Sequence, residues 1–253
     1  MDIEIGATVL VTILLVSVRL SGLFLFSPLF SLTRLPVRLR VLFLLSFSAV
    51  VTMGTMESVV VKDLTLGRLT NMVVNELLVG GIMAFGVYAA FAAFMFGGRI
   101  LDFQMGMGVA NLIDPSTNTQ SPLIGTFLNL TGVMVFFLVD GHHMILQGVH
   151  YSLEMIPPGA GLNQFNLAAI SSQFGVLFIF GFALVAPAVM ILLLLDVGMA
   201  FAARTMPQVN MFIVGIPLKI FLGLLTLAFS LNYITPLLGK LYKSIFLYWE
   251  AML

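Results

Sequence analysis

Three histidines that lie close together in the sequence are the residues of this chain best suited to bind a metal ion. His142 and His143 follow Asp140 and Gly141, and on a helix either one would share a face with His150, eight and seven residues later. Imidazole nitrogens are common zinc ligands, so three of them would suit a metallohydrolase working within the membrane. The chain has no HExxH pattern and no cysteine to accompany them. We therefore predict no metal site and interpret the histidines as polar residues at a helix end.

Charged side chains that interrupt the apolar stretches form a second group that could do chemistry. A charge at the centre of a bilayer costs about 2.5 to 3.5 kcal/mol on insertion scales, so we expect these side chains to face protein or water. One interpretation is that opposite charges pair across helices and hold them together. The other is a secondary transporter for a small solute or ion, with Arg19, Glu76, Asp196 and Lys219 as its charged site. Such transporters commonly consist of related halves, which this sequence does not show. The intramembrane charges are Arg19, Glu57, Glu76, Asp196, Arg204 and Lys219.

A polar, glycine-rich segment, residues 97–122, separates two strongly apolar stretches. In its second part, residues 106–122, glycines loosen the start, and Asp114-Pro115 and Ser121-Pro122 favour turns, so we expect a loop there. Non-helical backbone at membrane depth is tolerated where it is buried in protein or lines an aqueous cavity. The segment is thus either a re-entrant loop or plug, or an ordinary exposed loop, and its composition favours neither.

Other sequence signatures of catalysis are missing from the chain. It has no Gly-x-Ser-x-Gly elbow, no Walker A loop and no dinucleotide fingerprint, and without cysteine it has no thiol nucleophile. Its 11 basic and 11 acidic residues give a formal net charge of +0, with no basic block to neutralise phosphates. We predict a protein that is not an enzyme, has no cofactor and does not bind nucleic acid.

The elements that hold these residues are set by the hydrophobicity of the chain. Of its 253 residues, 60% are hydrophobic and 9% are charged, whereas a soluble domain has about 25% charged residues. Mean hydropathy is +1.12. Too few charges are available to cover a water-exposed surface, so the chain is predicted to be an integral membrane protein.

Six apolar stretches approach or exceed the roughly 20 residues that are needed to cross the hydrocarbon layer. Helix is expected in each, because lipid offers no water to unpaired backbone groups and the sequence lacks the strict alternation of barrel strands. Prolines within or beside the stretches predict bent helices. We predict an all-α membrane protein with a single domain, residues 1–253. The stretches are residues 5–32, 41–61, 72–96, 123–139, 174–201 and 211–238, and the prolines are Pro28, Pro187, Pro217 and Pro236.

Several stretches of the chain resemble one protein family. The match lies in residues 106–143, in the block from Asp196 through Arg204 to Lys219, and more loosely in residues 18–28 and 35–40. These residues resemble the family of the flagellar biosynthesis protein FliR, an export-gate subunit of type III secretion. The motifs follow the family's order over most of the chain. Those within the first stretch are Asp114-Pro115, Ser121-Pro122 and Gly141-His142-His143.

The resemblance implies an architecture and a set of partners. Members of the family join FliP- and FliQ-like subunits in a helical assembly, alongside FlhB- and FlhA-like export proteins, and unfolded flagellar proteins pass through it. Their hydrophobic segments form bent hairpins packed against partner subunits. The assembly is expected in the inner membrane of a bacterium, within the flagellar basal body. A virulence-type secretion homologue is the alternative that the motifs leave open.

The resemblance also implies a role for the polar segment. In the family a loop of the FliR-like subunit helps to plug the closed channel, and by position it corresponds here to residues 106–122, called the plug segment below. We hypothesise that Met105, Met107 and Leu112 seal the pore, since methionine is flexible and packs against irregular surfaces. The flanking glycines would give the segment room to move. The residues assigned to the plug are Met105, Gly106, Met107, Gly108, Asn111, Leu112, Asp114, Pro115, Ser121 and Pro122.

Overall fold

Helices are the regular elements of the part of the chain that the structure describes, residues 2–25, 36–55, 65–107, 122–161, 166–208 and 210–253. This computed structural model has eight helices and no strand within those ranges, so the all-α prediction is confirmed. The helices are α1 (Asp2–Leu25), α2 (Val37–Thr55), α3 (Leu66–Gln104), α4 (Leu123–Leu138), α5 (Gly141–Met155), α6 (Leu167–Thr205), α7 (Met211–Phe229) and α8 (Leu231–Met252).

The helices include several that are suited to a bilayer. Among the described residues, three are long and apolar enough to cross a membrane by themselves: α2 over Val37–Gly54, and α3 and α6, which have 39 residues each. Two bent pairs, α4 with α5 and α7 with α8, raise the number to 5 if each pair is one span. The prediction of a membrane protein is confirmed, and fewer of its segments than predicted qualify as spans by themselves.

Prolines lie inside continuous helices, and the breaks of the two bent pairs lie elsewhere. Pro187, Pro217 and Pro236 are within α6, α7 and α8 respectively, while Pro28 lies outside the described residues. The bend between α7 and α8 is 65° and falls at Ser230. The Ser230 hydroxyl donates to the carbonyl of Leu227 at 2.8 Å, so it competes for the backbone acceptors that would continue the helix.

Helix α3 extends further than the sequence pattern predicted. Residues 97–104, which follow the apolar stretch that ends at residue 96, form its last two turns. Gly97 and Gly98 allow close packing here: a Cβ on Gly97 would overlap the carbonyl of Gly181, and one on Gly98 would overlap the backbone of Gly125. Glycine within a helix permits such contact between helix backbones.

Helix α5 lies between the apolar stretches 123–139 and 174–201, where no apolar stretch predicted a helix. It was missed because the segment is too polar to stand out as an apolar stretch. Its buried residues nevertheless recur at helical spacing, which marks an amphipathic helix. They are Gly141, Ile145, Gly148, Val149, Ser152 and Leu153.

Packing divides the chain into two compact units, and each is described by itself below. Unit 1 comprises residues 1–89, 140–173 and 245–253, and unit 2 comprises residues 90–139 and 174–244. Helices α3, α6 and α8 each contribute residues to both units. The single domain over residues 1–253 stays a prediction.

Large aromatic side chains form the centre of each unit. In unit 1, Trp249 is fully buried and its indole Nε1–H donates to the carbonyl of Met83 at 3.0 Å. In unit 2, the rings of Phe136 and Tyr242 meet edge to face with centroids 5.2 Å apart. The Tyr242 hydroxyl donates to the carbonyl of Gly132 at 2.5 Å. Each buried polar atom of these rings thus has a partner, as burial requires.

Candidate functional site

The start of the plug segment is a helix end that the sequence encodes. Helix α3 ends at Gln104, and Gly106 has φ +75°. The N–H of Gly106 donates to the carbonyl of Phe103 at 3.1 Å, and the N–H of Met107 donates to the carbonyl of Asp102 at 3.0 Å. This pair of bonds around a left-handed glycine is the Schellman motif that closes many helices. Gly106 therefore stops the helix where the plug segment begins.

Met105 is packed into the core of unit 2. Its side chain is fully buried, and a Cβ on Gly223 of α7 would overlap its methyl group. Met107 is half-buried. In the arrangement described, Met105 holds the end of α3 against α7, and its predicted part in sealing the pore remains a prediction.

Asp102 joins the end of α3 to the beginning of α4. Its Oδ1 accepts the N–H of Ile124 at 3.2 Å, and its Oδ2 accepts the N–H of Gly125 at 3.5 Å. The residue is only 8% exposed. Pro122, at the N-cap position of α4, provides no side-chain cap. The Asp102 carboxylate therefore takes the place of an N-cap residue and lies where the helix dipole favours negative charge.

The two ends of the plug segment are thus held together within unit 2. Gly98 and Asp102 lie one turn apart on α3, and both contact α4 around Gly125. Our sequence reasoning missed Asp102, because this residue lies between the apolar stretches and belongs to none of the motifs considered. An acid four residues after a glycine, shortly before a turn, is the signal that was available. Residues 108–121, with the predicted plug residues Gly108, Asn111, Leu112, Asp114, Pro115 and Ser121, lie outside the described residues.

Two of the intramembrane charges form a buried ion pair in unit 1. Arg19 of α1 and Glu76 of α3 are each 1% exposed. The Arg19 Nε and Nη2 donate to the two carboxylate oxygens at 2.6 and 3.0 Å. Its Nη1 donates to the carbonyl and hydroxyl of Ser152, and its Nη2 also donates to the carbonyl of Ile156. The bidentate pair with added backbone acceptors satisfies all five guanidinium donors.

The same ion pair fixes the turn that follows α5. Glu76 Oε1 also accepts the N–H of Gly159 at 2.8 Å. Gly159 and Gly161 have positive φ, at 85° and 76°, and a Cβ on Gly161 would overlap the amide of Asn75. The turn therefore lies directly on α3 beside the ion pair. Since every donor of Arg19 is engaged, the pair has no guanidinium N–H left to bind a solute.

Three further intramembrane charges lie in more exposed positions. Lys219 of α7 and Asp196 of α6 form an ion pair at 2.5 Å in unit 2, with side chains 20% and 43% exposed. Arg204 lies exposed in the last turn of α6, where a cation is favoured by the helix dipole. Glu57 lies outside the described residues. The predicted pairing across helices is therefore seen for four of the six charges.

The histidines are arranged differently from the trio that we considered. His150 pairs with Glu154 at 3.2 Å, whereas ligand atoms of Asp140, His142 and His143 lie within 4.8 Å of one another. Asp140 is the residue before α5 and has a left-handed backbone, with φ 57°. All three side chains of the closer group are largely accessible. Asp140, His142 and His143 are of types that bind metal ions, although we predicted no metal site from the sequence.

Comparisons with known proteins relate the chain to secretion proteins. The family model described as bacterial export proteins, family 1, matches residues 10–245. The flagellar biosynthetic protein FliR of Bacillus subtilis is 35% identical over 226 residues, which cover 87% of this chain and 86% of the relative. FliR of Aquifex aeolicus is 26% identical over 257 residues, covering 99% and 96%. The secretion system apparatus protein SsaT of Salmonella typhimurium is 27% identical over 164 residues, covering 64% and 63%.

Proposed function

The chain belongs to the family of bacterial export proteins, family 1, and from this premise we propose that it is a non-enzymatic subunit of a flagellar type III protein-export gate. The resemblance to FliR that the motifs indicated is confirmed. In this proposal the subunit works in the inner membrane of a bacterium, within the flagellar basal body. There it helps to form and close the pore through which unfolded flagellar proteins leave the cell.

The observation that carries the gating part of this proposal is the way in which the plug segment is mounted. Its ends are fixed by the Schellman turn at Gly106 and by the bonds from Asp102 to α4. A polar segment that is held at both ends between apolar helices can close a pore while its two ends stay in place. Such backbone is tolerated at membrane depth only against protein or an aqueous cavity.

The exposed apolar surface supports a role as one subunit among several. Only 17% of the Val37–Gly54 span of α2 and 33% of α6 are buried within the chain. FliP- and FliQ-like subunits would cover part of this surface, with FlhB- and FlhA-like proteins alongside them. The family's bent hairpins packed against partner subunits are part of the same proposal.

The proposal is tested by deleting residues 111–116 from the plug segment in cells that assemble the complete export gate. The deletion should raise the leak of small ions through the gate, while the amount of complex that copurifies with FliP- and FliQ-like subunits stays the same. His150→Ala, an exposed change in unit 1, is the matched control and should leave the leak unchanged. An unaltered leak in a fully assembled deletion complex would contradict the plug.

A secondary transporter remains the competing function in another class, and the ion pair in unit 1 weighs against it. A transport site must exchange its partners for a solute, whereas Arg19 and Glu76 are enclosed and satisfied by the backbone. Solute-coupled flux by the purified chain in liposomes would favour the transporter. Restored motility in a strain that lacks its own flagellar subunit would favour flagellar export over a virulence-type system.

A further inference from the structure

We propose that Asp140, His142 and His143 form a binding site for a divalent transition-metal ion such as zinc, at the beginning of α5. The trio considered from the sequence had His150 in place of Asp140, and no metal site was predicted from it. All three ligands of the proposed site belong to unit 1. The site goes beyond the proposed export function and does not depend on it.

Three donor atoms converge beside the first turn of α5. Asp140 Oδ1 lies 4.0 Å from His142 Nε2 and 3.6 Å from His143 Nδ1, and the ligand atoms of the group all lie within 4.8 Å of one another. The donors of a tetrahedral zinc ion lie about 3.3 Å apart, because each bond is about 2.0 to 2.1 Å long. The side chains are largely accessible and have room to close the difference.

Asp140 has an unusual conformation for the residue before a helix. An aspartate at the N-cap commonly has an extended backbone, and its side chain accepts an N–H of the first turn. Asp140 instead has φ 57° and ψ 29°, and its carboxylate makes no such bond. Within the described ranges it is the one residue other than glycine with positive φ. The carboxylate therefore lies near two imidazole nitrogens and does not cap the backbone of α5.

The two histidine rings approach each other more closely than their positions in the helix predict. Neighbouring residues on a helix point about 100° apart and do not face each other. The rings of His142 and His143 nevertheless have centroids 4.2 Å apart. Both rings thus lean toward the side on which the Asp140 carboxylate lies. Two imidazoles and one carboxylate are a set of ligands that zinc accepts in proteins, with the fourth position left to water.

The charge of Asp140 matters for a cation at this place. The N-terminal end of a helix carries a positive partial charge, which disfavours a cation. Neutral imidazoles supply no negative charge to a bound ion, so the Asp140 carboxylate is the ligand that offsets this repulsion. Removal of that charge should therefore weaken the site strongly even when both histidines are kept.

The test measures zinc bound to the full chain, purified in detergent micelles with an affinity tag that contains no histidine. Elemental analysis of protein that has been equilibrated with zinc and freed of loose metal should give about one ion per chain. Asp140→Asn keeps a residue that tolerates the left-handed backbone and removes the charge. Both Asp140→Asn and His143→Gln should weaken binding by more than the roughly 10- to 100-fold that loss of an outer-shell partner costs.

The matched control is the other histidine of α5 with a carboxylate beside it. His150 Nε2 lies 3.2 Å from Glu154 Oε1, and both side chains are exposed. His150→Gln removes an accessible imidazole from the same helix and should leave the zinc content and affinity unchanged. If His150→Gln weakens binding as much as His143→Gln does, zinc adheres to accessible histidines in general and the proposed site is wrong.

The other outcomes also decide the matter. Absence of retained zinc in the unsubstituted chain would overturn the site. Unchanged affinity in Asp140→Asn would do so as well, because the aspartate would then not be a ligand. If Asp140→Asn does not fold, the comparison of His143→Gln with His150→Gln decides. Zinc binding is measured without the export gate, so a failure of the ion-leak test leaves the metal site standing, and loss of the metal site leaves the plug standing.

Discussion

Replacing Arg19 by methionine tests the buried ion pair of unit 1 most severely. In Arg19→Met, the Glu76 carboxylate remains enclosed with the N–H of Gly159 as a donor, and the carbonyl of Ile156 loses the guanidinium. Removing one partner of a buried pair costs about 3 to 5 kcal/mol, because the other charge stays buried and uncompensated. Since proteins are stable by only about 5 to 15 kcal/mol, we expect little folded protein to remain in the cell.

A double variant shows how much of that loss comes from the uncompensated charge. Arg19→Met with Glu76→Leu removes both charges, so two backbone groups are left without these partners, the carbonyl of Ile156 and the N–H of Gly159. The carbonyl of Ser152 keeps the N–H of Ile156 as a donor. At about 1 to 3 kcal/mol for each group, the double variant should cost about 2 to 6 kcal/mol. The two single variants together should cost about 6 to 10 kcal/mol.

The assay is chemical unfolding of the purified chain in mixed micelles, with the abundance of each variant in membranes as a second measurement. The double variant should retain about 4 kcal/mol more stability than the sum of the single variants predicts. The charge swap Arg19→Glu with Glu76→Arg should fail, because glutamate cannot donate to Ile156 and arginine cannot accept from Gly159. Additive losses, or rescue by the swap, would show that the backbone contacts do not matter as argued.

Three further predictions concern unit 2. Gly106→Ala places a Cβ on a residue with φ +75° and should lower the free energy of unfolding by about 1 to 2 kcal/mol, whereas Gly175→Ala, with nothing within 4 Å of its Cβ, should cost nothing. Exchanging Asp196 and Lys219 with each other should preserve motility in a complementation assay. The reason is that this partly exposed ion pair depends on opposite charges rather than on hydrogen bonds to the backbone. Loss of motility would contradict this interpretation. Tyr242→Phe removes a buried hydroxyl that donates to a carbonyl and should lower the free energy of unfolding by about 1 to 3 kcal/mol. An unchanged free energy of unfolding would argue against that bond.

Hydrophobicity predicted the class of the fold and the centres of most helices, because lipid leaves the backbone no alternative to helix. Hydrophobicity failed to predict the extent of helices where the residues are determined by packing between helices. Gly97 and Gly98 lie beyond the apolar stretch that ends at residue 96, but they permit close contact between helices, and α3 continues to Gln104. Helix α5 was missed because its periodicity is amphipathic, and an apolar threshold does not detect that pattern.

The candidate site was predictable only in part, for a related reason. The end of α3 near Gly106 could be predicted, since a helix commonly ends at such a glycine. The role of Asp102 depends on which helix passes beside α4, and this is a tertiary fact that residue spacing does not contain. The pairing of Arg19 with Glu76 was among the combinations considered, but the carbonyls of Ser152 and Ile156 that complete it come from a helix that we had not predicted and from the residue that follows it.

The Asp196–Lys219 pair indicates where the chain depends on its neighbours. Arg19 and Glu76 form hydrogen bonds with the chain's own backbone, so this ion pair needs no partner from outside unit 1. Asp196 and Lys219 are 43% and 20% exposed. Hydrocarbon over this face would meet charged groups, at a cost of about 2.5 to 3.5 kcal/mol for each charge on insertion scales. Water or the surface of another subunit avoids that cost, so this face favours a position inside an assembly over one against lipid.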